Sequence, residues 1–90
     1  MHYVLFYKFV ENYLEARIPF RSEHLELASK AKESGELILA GALEDPQDEG
    51  MLIFKTDLPS KVSDFAHSDP YVKNGVVKHW VISKWNVAID

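Results

Sequence analysis

Two residues far apart in the chain could do chemistry together. The helix-forming stretch IPFRSEHLELASKAKESG (18–35) carries one histidine, His24, and the stretch HSDPYVKNG (67–75) carries Asp69 directly before a proline. His24 falls in an apolar stripe with Phe20, Leu27, Ala28 and Ala31, where desolvation favours the neutral imidazole, a form able to accept a proton. A carboxylate within reach would hold its tautomer and stabilise the imidazolium formed when it acts as a base. Asp69 is the candidate for that carboxylate. Each residue also has a plainer reading: His24 as a core histidine satisfied by a backbone carbonyl, and Asp69 as the N-cap of a helical turn opened by Pro70. The two readings of Asp69 are compatible, since a carboxylate has two oxygens.

Other polar residues are weaker candidates. Arg17 and Arg21 could grip an anionic substrate group through forked hydrogen bonds, or could be solvated or paired with Glu11, Glu15 or Glu23. His67, two residues before Asp69, could with His24 hold a metal, but no other ligand spacing supports this and no metal is expected. Gly41 in LAGAL is a single glycine, not a phosphate loop, and reads as a close backbone approach or a bulge. No Ser-nucleophile, Walker or dinucleotide fingerprint is present, and no cofactor is expected.

These residues have to be positioned by a small chain. Ninety residues support one domain, 1–90, because a chain of this size buries only about 60% of the surface its unfolded form exposes. An apolar fraction of 47% with 27% charged residues fits a globular protein. Net charge is −4 with basic residues scattered among acidic ones, so neither nucleic acid nor an anionic membrane is an expected partner. The absence of cysteine excludes disulfides and thiolate chemistry and suits a reducing cytoplasm. The apolar opening MHYVLFYKFV lacks the basic region and cleavage site of a signal peptide and reads as a strand.

The pattern predicts strands over 2–10, 36–43, 51–56 and 78–87. It predicts helices from Pro19 to the residue before Gly35 and from Pro59 to just before Pro70, with at most one further turn after Pro70. ENYLEAR (11–17) reads as a loop and EDPQDEG (44–50) as a surface turn. The order β-α-β-β-α-β is that of a ferredoxin-like α+β fold, an antiparallel sheet with two helices on one face. Chain direction then brings Arg17, Arg21, His24, Gly41, Asp69 and His79 to one end. The strands do not alternate apolar with polar, so the sheet face away from the helices is apolar too, and a homodimer packed through that face is expected.

RSEHL (21–25), GELILAGAL (35–43) and HSDPYVKNGV (67–76), followed by a last strand ending near a tryptophan, resemble the YciI-like, or YCII-related, family. The resemblance covers essentially the whole chain. It implies a dimeric α+β barrel of ferredoxin-like subunits and a pocket with a His-Asp pair, carried here by His24 and Asp69. Arg17 and Arg21 look like the arginines that precede the family's histidine and His79 like the histidine that opens its last strand; these, with Gly41 and with Tyr71 of the D-P-Y element, are the expected substrate contacts. The turn EDPQDEG is shorter and more acidic than the family's usual glycine-rich loop. Some members are linked to dehalogenating lyase chemistry on hydroxylated rings. The implied function is a cofactor-independent lyase or isomerase acting by proton abstraction on a small phenolic or anionic molecule, the alternative being a non-catalytic binding or structural dimer module.

Overall fold

The computed structural model describes residues 1–90. Its elements run β1 (His2–Phe9), α1 (Tyr13–Ala16), a 3-10 turn (Ile18–Phe20), α2 (Arg21–Glu33), β2 (Leu37–Ala42), β3 (Glu49–Lys55), α3 (Pro59–Ser68), α4 (Pro70–Lys73) and β4 (Val77–Trp85). The sheet order is β2-β3-β1-β4 with every neighbouring pair antiparallel, the arrangement of a ferredoxin-like α+β fold. No helix is long and apolar enough to cross a membrane.

Local chemistry accounts for the boundaries. Pro19 lies in the 3-10 turn, and α2 begins two residues later than the proline alone suggests, because the preceding ENYLEAR already coils into α1 around the buried Tyr13. Gly35 follows the C-cap of α2 with φ +84°, a left-handed conformation that glycine adopts without a Cβ penalty. Asp69 ends α3 and caps α4, its side chain accepting from the Tyr71 N–H.

One sheet face carries the core: Tyr3, Leu5, Tyr7 and Phe9 of β1, and Leu52 and Phe54 of β3, are buried against the helices. The two main helices differ sharply. α3 buries Val62, Phe65 and Ala66 on the sheet, whereas α2 buries no residue fully and contributes only a half-buried stripe of His24, Leu27, Ala28 and Ala31.

Two bulges explain where the sheet and α2 separate. In β2 the register passes from Leu37 opposite Phe54 to Leu39 opposite Ile53, so Ile38 is an extra residue. An extra residue inverts the in–out alternation of everything after it. Leu39 therefore turns to the face away from the helices, and Ala40 and Ala42, opposite Leu52 and Gly50, line the helix side. Small side chains thus stand beneath α2 where simple alternation places Leu39. The second bulge lies in β4, where Phe9 opposes Val77 but Lys8 opposes His79, leaving Lys78 as the extra residue.

Candidate functional site

A hollow of about 270 Å³ opens between α2 and the small residues of β2 and β3. Tyr7, Phe9, Tyr13, Arg17, Arg21, His24, Gly41 and Tyr71 are among its walls. Gly50 sits in that wall, and a Cβ there would lie 2.9 Å from Phe9 Cζ, so glycine is what lets the Phe9 ring lie flat on Tyr13 at 4.4 Å and 14°. Gly41 itself is open on the side a Cβ would occupy, and the tight approach that its segment suggests occurs at Gly50 instead.

His24 and Asp69 meet at one end of this hollow. His24 Nδ1 is 2.8 Å from Oδ1 and 3.0 Å from Oδ2 of Asp69. The carboxylate is fully buried and receives two more hydrogen bonds: the Tyr71 backbone N–H donates to Oδ1 at 2.9 Å and the Tyr7 hydroxyl donates to Oδ2 at 2.7 Å. No buried side-chain nitrogen or oxygen in the protein lacks a partner. An ionised carboxylate only accepts, so Nδ1 carries the proton of the neutral ring and Nε2 carries the lone pair. Tyr71 covers one face of the imidazole, with ring centroids 3.8 Å apart and planes within 5°. The imidazole is held by a hydrogen bond at one edge and a ring on one face, which leaves it little freedom to rotate.

Tyr7 is a member of the site that sequence reasoning missed. Burial, then the negative charge of Asp69, then its hydrogen bond to that carboxylate push the Tyr7 phenol far above the usual tyrosine range. At neutral pH it is therefore a hydroxyl donor. The available signal was a tyrosine at a core-facing strand position, since a buried tyrosine hydroxyl requires a partner. The Tyr71 phenol is also raised, chiefly by burial, against the downward pull of the Arg17 and Arg21 guanidiniums.

Arg17, Arg21, Gly41 and Tyr71 share the hollow with His24, and His79 does not. The expectation that His79 joins them is corrected by the β4 bulge. Val77 faces the core, and straight alternation would put His79 on the same side. The extra residue Lys78 instead turns His79 to the open face, opposite Lys8. There Lys8 is paired with Asp48 at 2.7 Å. His67 is exposed and meets Trp80 edge-on at 5.3 Å.

Residues 1–86 match the YCII-related domain. The chain belongs to the YCII-related family. An uncharacterized protein of Haemophilus influenzae is 32% identical over 85 residues, which is 84% of this YCII-related chain and 87% of its relative. Among solved structures, the 5-chloro-2-hydroxyhydroquinone dehydrochlorinase of Burkholderia phenoliruptrix, in complex with 2,5-dihydroxybenzoquinone, superposes with TM-score 0.79 at 20% identity. That match covers 96% of this chain and 94% of the dehydrochlorinase. An Agrobacterium tumefaciens protein superposes with TM-score 0.56 at 16% identity over 93% of this chain and 92% of its own. At these identities the structural likenesses establish the fold alone.

Proposed function

We propose that this YCII-related protein is a lyase or isomerase that works without a cofactor, with His24 as general base and Asp69 as the group that orients it. The observation that carries this reading is the pairing of Nδ1 with a buried carboxylate at 2.8 Å, in a histidine that lines a solvent-reachable hollow. Nε2 takes a proton from a carbon made acidic by an adjacent carbonyl or quinone, and the C–H electron pair moves into the conjugated system. In an elimination that electron pair forms the new double bond as a leaving anion departs. In an isomerisation the proton returns at another carbon. Asp69 stabilises the imidazolium in between. The fold is shared with an enzyme named for removing the elements of HCl from a hydroxylated ring, which supports chemistry of this class.

The test is chloride release from 5-chloro-2-hydroxyhydroquinone, together with deuterium uptake from D2O into unchlorinated hydroxy ring acids, followed by proton NMR. His24→Ala is expected to lower whichever rate the wild type shows by about 10²–10⁴-fold. Equal rates in the two proteins would sink the reading.

We also propose that two copies pack through the open sheet face. Leu39 and Val81 on that face are 60% and 56% exposed, and Val4 is buried yet lies outside the core cluster. Apolar side chains in such density on one face are an interface composition. Light scattering at micromolar concentration is expected to return twice the mass of the chain, and a monomer mass would contradict it.

A further inference from the structure

The chain has ten basic residues, of which only Arg17 and Arg21 are arginines. Both line the hollow beside His24. Neither is ion-paired: every pair in the protein uses a lysine, the N-terminal amine or His24. Arg17 instead lies over the Tyr13 ring, 5.5 Å from its centroid. The walls contain no carboxylate of their own, and Asp69 behind His24 is already satisfied by three donors. A protein of net charge −4 therefore keeps two guanidiniums without an ion pair at one small cavity, Arg21 lying beside the Tyr71 phenol. A guanidinium presents a rigid fork that matches a carboxylate, which lysine does not. The remaining walls, among them Phe9, Ala40, Ala42 and Leu52, are apolar and take up a carbon frame.

We infer that the hollow binds a small planar carboxylic acid, its carboxylate held between Arg17 and Arg21 and its carbon frame laid along the alanine wall. This rests on the preceding reading only for the further point that the reacting carbon faces His24. The two guanidiniums supply the charge that selects the ligand, and the fork fixes its orientation.

The test titrates benzoate and its neutral planar analogue benzamide into the full chain, following amide signals of Ala40 and Ala42 by NMR. Benzoate is expected to saturate and to bind about tenfold or more tighter than benzamide. Arg17→Met with Arg21→Met is expected to bring benzoate down to the benzamide level, with thermal melting showing that the fold persists. His24→Ala is expected to keep benzoate binding, which separates this inference from the catalytic reading. Benzoate that fails to saturate, binds no better than benzamide, or keeps its affinity in the double variant overturns the inference. Loss of proton chemistry in His24→Ala with benzoate still bound leaves it standing.

Discussion

Asp69→Ala is expected to lower stability by about 3–5 kcal/mol, a melting temperature lower by roughly 15–30 °C for a domain of this size. The reason is the number of groups that depend on one fully buried carboxylate. The Tyr7 hydroxyl, the His24 Nδ1–H and the Tyr71 N–H all donate to it at 2.7–2.9 Å. Alanine leaves the tyrosine hydroxyl and the ring N–H without an acceptor, and each such buried donor costs about 1–3 kcal/mol. It also removes the cap of α4, worth about 1 kcal/mol. Total stability for a chain of this length is on the order of 5–13 kcal/mol, so the loss is a large share of the whole. Urea unfolding of wild type and variant measures it directly. A difference below about 1 kcal/mol would show that these donors find water or one another instead.

Asp69→Asn is expected to do the opposite: to preserve the fold and remove the activity, with turnover down about 10³–10⁴-fold. The amide has nearly the same shape, and its oxygen can still accept from Tyr71 N at the Oδ1 position. Its NH2 group then occupies the place of Oδ2, 3.0 Å from His24 Nδ1 and 2.7 Å from the Tyr7 hydroxyl, which rotates to accept from it. A ring protonated on Nδ1 keeps the amide oxygen at 2.8 Å but sets its N–H against the NH2 at 3.0 Å, whereas a ring protonated on Nε2 accepts from that NH2 and removes the clash. The second arrangement is the expected one, and it presents a donor to the hollow where a base is required. The reverse orientation of the amide would set NH2 against the Tyr71 N–H and lose the cap. Nitrogen-15 NMR of the histidine ring reads the outcome without any substrate. The wild type is expected to carry its proton on Nδ1 and the variant on Nε2. The same tautomer in both, or full turnover in the variant, would remove Asp69 from the orienting role.

Much of the frame was legible because it is local. Strand composition, the stripe through His24, the glycine after α2 and the Asp-Pro pair at 69 and 70 act within a few residues of themselves, and the predicted elements follow with shifts of at most two residues at their ends; ENYLEAR, read as a loop, instead contains α1. The meeting of His24 with Asp69 was reachable from chain direction in a β-α-β-β-α-β order. The resemblance carried by RSEHL and HSDPYVKNGV pointed to the same pair.

What escaped depends on register. Tyr7 sits among Tyr3, Leu5 and Phe9 and looks like core filling, since its acceptor lies 62 positions away. The face taken by His79 depends on Lys78 being an unpaired extra residue, and nothing in VKHWVISKW marks it. Leu37 and Leu39 look like one face and occupy two, because Ile38 intervenes. The need for glycine at position 50 is set by Phe9 across the sheet.

The placement of Ile38 also bears on how such a cavity can change over evolutionary time. With that residue present, two alanines form the floor under α2 and the larger Leu39 is turned outward. Deleting one residue would rotate the rest of the strand by half a repeat and swing a leucine into the space, closing it with no substitution at any wall position. Cavity size in this fold is therefore governed partly by a count of residues. Relatives with alike walls could differ in what they admit through a single insertion or deletion upstream.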